Sequence, residues 1–142
     1  MKGILFKPEM FQAVIEERKM QTRRLGGLEE VNENPDKAIF YGMRTDPDAT
    51  EVLGKPLKGD YAYFELPGDN LKFIKPRYQP GEVVYLKEPY LLDAAGNVIY
   101  KHKSDVQMQT LAKWKNKMFM PARYARHFIE IVTARPERLC HI

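Results

Sequence analysis

A chain of 142 residues with 44% hydrophobic content is long enough for one domain with its own core and short for two of ordinary size, so a single domain spanning 1–142 is expected. One cysteine, Cys140, excludes an intrachain disulfide and a thiolate cluster, and His102, His127 and His141 lack ligand spacing, so neither a metal nor a cofactor is expected. There is no run of about 18 apolar residues, and the apolar part of Met1–Lys7 is too short for a signal peptide, so a cytoplasmic, non-membrane protein is expected.

Gly3-Ile4-Leu5-Phe6 reads as a first strand, and Lys7-Pro8 turns it into a helix in which Met10, Phe11, Val14 and Ile15 recur at helical spacing. Arg18 and Lys19 fall in its expected last turn, where the helix dipole favours cations, and Gln21 to Arg24 form an extended exit. The stretch from Glu16 to Arg24 thus packs four cations and the Thr22 hydroxyl into nine residues. It reads either as a solvated helix end or as one rim of a pocket formed by Lys19, Thr22, Arg23 and Arg24.

Residues 25–56 are polar and punctuated by Gly26-Gly27, Asn34-Pro35 and Asp46-Pro47, with a strand-like run only at Ala38–Gly42. They read as an insertion, either a lid or a disordered excursion. Tyr61–Leu66 and Leu71–Lys75, joined across Pro67–Asn70, predict a hairpin. Glu82–Glu88 is the clearest strand, and Val84, Leu86 and Glu88 share one of its faces. Glu88 is therefore either a carboxylate carried into the core, which needs a cationic or hydrogen-bonding partner, or a group emerging into solvent before Pro89.

Beyond the turn Asp93–Asn97, Val98–Lys101 predicts a strand, Ser104–Thr110 shows little pattern, Ala122–Arg126 suits a helical turn behind Pro121, and Phe128–Thr133 predicts a last strand. Met10, Met118 and Met120 read as core fillers. Lys101 to Arg126 carries seven cations against Asp105, a local charge of +6 within an overall +4, with Tyr100, Trp114, Phe119 and Tyr124 interleaved. That composition suits phosphate contacts with stacking, and equally an ordinary soluble surface. Short strands between turns with one principal N-terminal helix and short extra helical turns predict an α+β fold.

Three blocks in order resemble phage-associated ASCH-domain proteins of the PUA-like superfamily: Ile4–Arg24, Pro80–Glu88, and Phe119–Arg126 with Ile129–Val132. The resemblance implies a PUA-like β-barrel whose helix-end cations and strand-end Glu88 face one cleft. It also implies binding of RNA or a modified nucleotide, with Arg18, Arg23, Arg24, Arg123, Arg126 and Trp114 as candidate contacts. Some small ASCH proteins are amidohydrolases of acetylated cytidine using a lysine, a threonine and a glutamate. Lys19 and Thr22 match the first two by position. The glutamate of those enzymes lies outside the matched blocks, and Glu88 is this chain's own candidate for that role. Glu17 stands where the family has glycine, and Met20 where it has threonine, so a different loop geometry is expected. Relatives continue into an acidic helix after the position of Ile142, which implies a C-terminal truncation here.

Three readings remain open. They are a module binding RNA or a modified nucleotide, an amidohydrolase using Lys19, Thr22 and Glu88, and a phage protein-interaction factor with Trp114, Phe119 and Tyr124 as its contact patch. In a purely architectural version, Glu88 pairs with Arg23 or Lys19 to hold helix to barrel.

Overall fold

The computed structural model describes residues 1–24, 26–45 and 59–137. Its contacts divide into two compact units, one built from 1–22 and 83–130 and the other from 23–82 and 131–142. The fold is α+β. Among the described residues the strands form three open sheets, so the closed barrel that the resemblance implies is not seen.

In the first unit, β1 (Gly3–Leu5) lies parallel to β5 (Val83–Lys87), and β8 (Phe128–Glu130) pairs antiparallel on the other side of β5. A strand flanked on both sides is buried on both faces, and Val84, Tyr85 and Leu86 are all interior. Gly3 sits under the Tyr85 ring, where a Cβ would meet ring carbon Cζ at 2.7 Å. The Tyr85 hydroxyl donates to the Met120 carbonyl at 3.0 Å, and Lys87 Nζ donates to the Met118 carbonyl at 2.7 Å. Lys117 Nζ donates to the Phe6 carbonyl at 2.6 Å, so the segment from Lys117 to Met120 is stapled onto β5 and onto the residue that follows β1. Met120 is buried, whereas Met10 and Met118 are exposed, which corrects their assignment to the core. A second hairpin, β6 (Tyr90–Leu92) with β7 (Val98–Tyr100), turns at Asp93, whose carboxylate accepts from the backbone N–H groups of Ala95 and Asn97.

The stretch that shows little sequence pattern contains a helix, labelled α3 here (Val106–Leu111), started by Asp105, whose side chain accepts from Met108 N at 2.8 Å. Its apolar residues gave no signal because Val106 and Leu111 point outward, exposed by 80% and 74%.

The first helix, α1 (Pro8–Ile15), buries Phe11 and ends earlier than expected. Arg18 and Lys19 lie beyond it. Glu17 adopts a left-handed conformation with φ of 58°, its N–H donates to Val14 O, and Arg18 N–H donates to Ala13 O, which is the paired hydrogen-bond pattern of a Schellman stop. Glutamate thus takes the left-handed conformation for which glycine is suited.

In the second unit, β2 (Ile39–Thr45), β3 (Asp60–Leu66) and β4 (Asn70–Ile74) form an antiparallel sheet. Ala62, Phe64 and Leu66 face one side and pack with Ala38, Leu28, Val31, Met43 and Ile74. Helix α2 (Glu29–Glu33) and β2 both lie in the stretch read as an insertion, so its described part, 26–45, contributes to this core rather than forming an excursion. The rest of that stretch, and the last five residues, lie outside the described residues.

A non-glycine residue in the left-handed region costs about 1–2 kcal/mol, partly offset by the roughly 0.5–1 kcal/mol entropic cost of glycine. Glu17→Gly is therefore expected to stabilise the protein by about 0.5–1 kcal/mol, measured by urea unfolding; destabilisation would contradict the helix stop described above.

Candidate functional site

Alternation along β5 carries Glu88 inward past the end of the strand, and it is fully buried. Arg126 answers it with a two-pronged bond, Nε to Oε1 at 2.6 Å and Nη2 to Oε2 at 2.8 Å. The fixed fork of a guanidinium matches the two carboxylate oxygens, and both lie out of water. Arg126 also lies over the Tyr100 ring, 4.3 Å from its centroid, while the Tyr100 hydroxyl donates to the Tyr124 carbonyl at 2.6 Å. The Glu88 N–H donates to the Met120 sulfur at 3.3 Å. The partner of Glu88 is thus Arg126, in place of the Arg23 or Lys19 considered from sequence.

Around this pair stand two imidazoles. His102 stacks on Phe11 with centroids 4.6 Å apart, and His127 meets the same ring edge-on at 5.7 Å. Burial holds the pKa of both below the ordinary imidazole value. At His102 the Glu88 carboxylate opposes this and Arg126 adds to it, while at His127 Arg126 is the second cause of lowering and Glu88 opposes. Sequence reading missed both. Neither histidine has a spacing signal, and each reaches Phe11 only through the tertiary fold.

The remaining candidates are placed as follows. Lys19 is half-buried and its backbone N–H is tied to Ala13 O, while Thr22 is exposed. Among the described residues no hydrogen bond or ion pair joins either of them to Glu88, whose two oxygens are both engaged by Arg126. Arg18 turns back to Glu16, Nε to Oε2 at 2.6 Å. Arg23 and Arg24 belong to the second unit and are exposed, and Arg23 Nε lies 3.9 Å from a Glu137 oxygen. Arg123 is exposed and stacks over its neighbour Tyr124 at 4.6 Å. Trp114 is half-buried and donates its indole N–H to Gln109 O at 3.2 Å, near the end of α3. A shallow concavity of about 380 Å³ is lined by Asp105, Gln107, Met108, Leu111 and Ala112, none of them a candidate site residue.

The described residues hold no group of three or more His, Cys, Asp and Glu suited to a metal ion, and no helix long and apolar enough to cross a membrane. Comparison of the chain with family models, with curated proteins and with solved structures gives no match.

Removing one member of a buried ion pair strands the other, at a cost of about 3–5 kcal/mol, whereas replacing both with apolar groups of similar volume is often neutral. Arg126→Ala is therefore expected to destabilise by about 3–5 kcal/mol in urea unfolding, with the double variant Glu88→Leu, Arg126→Met recovering most of the loss. Equal losses in both would show that the pair contributes more than mutual neutralisation. The histidines give a second test. With folded-state pKa values depressed, the unfolded chain binds protons first as pH falls through about 6.5, so their contribution lowers stability in acid. Tm is expected to be lower at pH 5.5 than at pH 7.5, and the difference to shrink in the His102→Gln, His127→Gln variant; an unchanged difference would assign the slope to other groups.

Proposed function

We propose that this protein is a PUA-like module that binds RNA or a modified nucleotide through the first unit. The observation that carries this reading is the segregation of charge. The first unit has twelve Lys and Arg against seven Asp and Glu, a net of +5, which leaves −1 for the second. Part of that positive charge is committed internally, since Lys87 and Lys117 bind carbonyls and Arg126 binds Glu88. Lys103, Lys113 and Arg123 are exposed, and so are the apolar side chains Met118 and Phe119. Exposed cations with an exposed ring nearby in sequence supply phosphate contacts and a stacking face, the combination that holds single strands without a base code. The order of the three family-like blocks in the chain is consistent with this reading.

The hydrolase reading fits less well. A catalytic carboxylate must reach a proton on the substrate, and Glu88 is fully buried with both oxygens bound to Arg126. Lys19 and Thr22 remain the residues on which turnover of an acylated cytidine would rest. Loss of N4-acetylcytidine deacetylation in Lys19→Ala would establish that activity; no turnover by the wild type would remove it.

Phosphate contacts release counterions, so affinity for single-stranded RNA falls with salt by a log–log slope of roughly 0.7 per contact. Single substitutions Lys103→Ala, Lys113→Ala and Arg123→Ala are each expected to weaken binding regardless of sequence and to reduce the slope by about 0.7, measured by fluorescence anisotropy between 50 and 200 mM salt. Salt-independent binding, or wild-type slopes in all three, would refute a phosphate-reading role for this unit.

A further inference from the structure

The bond between Arg126 and Glu88 leaves one end of the guanidinium unused. Nε and Nη2 hold the carboxylate, and among the described residues Nη1 has no hydrogen-bond partner. The ring nitrogens of His102 and His127 have none among those residues either. His102 gives a face to Phe11, but an imidazole bonds through nitrogens in its own plane, so stacking leaves them available. No buried side-chain nitrogen or oxygen of the described residues lacks a partner. Arg126 Nη1 and the imidazole nitrogens therefore reach solvent, although both histidines are half-buried and the Arg126 side chain is 15% exposed.

These donors are held in one neighbourhood of the first unit. Arg126 and His127 are consecutive, and the guanidinium lies over Tyr100, two residues before His102. Both imidazoles touch Phe11 of α1, so their centroids are no farther apart than 4.6 Å and 5.7 Å laid end to end. The charges that act on them are mostly positive. His102 feels Glu88, Arg126, Lys101 and Lys117, and His127 feels Arg126, Glu88 and Lys103. Glu88 is the one acid of that set, and Arg126 already neutralises it.

We propose that Arg126 Nη1 and the imidazoles of His102 and His127 form a site for a phosphate monoester, either the end of an RNA strand or the phosphate of a free nucleotide. This rests on the nucleotide-binding reading of the first unit and identifies the group that is held. Donors from three residues match the three terminal oxygens of a monoester, whereas a phosphodiester offers two and a carboxylate two in one plane. A monoester also carries about −1.5 to −2 at pH 7. In the free protein, burial holds both imidazoles mostly neutral at that pH, with Arg126 and the lysines adding to it against the pull of Glu88. A bound dianion reverses the sign of the field, so binding takes up protons and strengthens as pH falls from 8 to 6.5.

The test compares uridine 5′-monophosphate with uridine on the full chain, by NMR of the imidazole Hε1 resonances and by calorimetry in two buffers of different ionisation enthalpy. The monophosphate is expected to raise the pKa of His102 and His127, and uridine to move neither. Its binding is expected to be about 3- to 10-fold tighter at pH 6.5 than at pH 8, with net proton uptake. His102→Gln and His127→Gln, checked by circular dichroism, are each expected to weaken it about 10- to 100-fold and to flatten the pH dependence. The NMR titration of the wild type needs no variant to fold. A monophosphate that shifts neither histidine, uridine that shifts them equally, or binding that weakens as pH falls over this range would overturn the proposal. Hexauridylate with hydroxyl ends separates this site from the broader reading. Salt-sensitive binding of that hexamer with no histidine response to the monophosphate would keep RNA binding and reject the site, and the opposite pattern would do the reverse. Where the histidines respond, a 5′-phosphorylated hexamer that binds more tightly than the monophosphate identifies a strand end as the ligand, and the opposite order a free nucleotide.

Discussion

The first unit depends on a charge that has to be neutralised out of water. Glu88 is carried inward by the same alternation that buries Val84 and Leu86, and a carboxylate there is tolerable only with a geometrically matched cation. Arg126 supplies it from 38 residues away. To do so, the chain between them has to return to the end of β5, and the side chains that bring it back are visible. Tyr100 backs the guanidinium and binds the carbonyl of Tyr124, Met120 receives the Glu88 N–H, and Tyr85 and Lys87 hold the carbonyls of Met120 and Met118. A buried pair of this kind adds little net stability over an apolar core, but it penalises every arrangement that leaves either member alone.

That pair also shows how far sequence can be read. The strand at 83–87 was legible because a run of β-branched and aromatic residues bounded by turn signals has few alternatives, and the hairpin of β3 and β4 was legible for the same reason. The inward turn of Glu88 was one of two readings, and its partner was not legible at all, because nothing local connects positions 88 and 126. The same holds for His102 and His127, which meet Phe11 from distant parts of the chain. The helix α3 has its capping aspartate as its one sequence signal, since its apolar residues Val106 and Leu111 face outward and form no periodic stripe. The early end of α1 escaped for another reason: the residue that stops it is a glutamate, which carries no breaker signal.

The two units rest on different physics. On the first unit the proposed interaction is mainly coulombic, which salt weakens and which does not distinguish the order of bases. On the second, rings of β2, β3 and β4 pack against one another across the sheet, and the bulge at Tyr41 and Gly42 completes that row. The sequence-level +6 between Lys101 and Arg126 overstates what the first surface offers, because folding commits Lys117 to a backbone carbonyl and Arg126 to Glu88. Nominal charge and presented charge diverge wherever cations serve the interior.

The stop at Glu17 sets a phase relation. An α-helix turns by about 100° per residue, so the direction in which the chain leaves α1 is fixed by how many residues separate Phe11 from the left-handed residue. Phe11 is anchored between two imidazoles, and Lys19 is tied by its own N–H to Ala13. Substitutions from Arg18 to Arg24 change the chemistry of the exit while leaving its heading intact. One residue inserted or deleted between Phe11 and Glu17 would swing the whole basic segment around the helix axis. Evolution can therefore vary the identity of these side chains far more freely than the length of the helix that aims them.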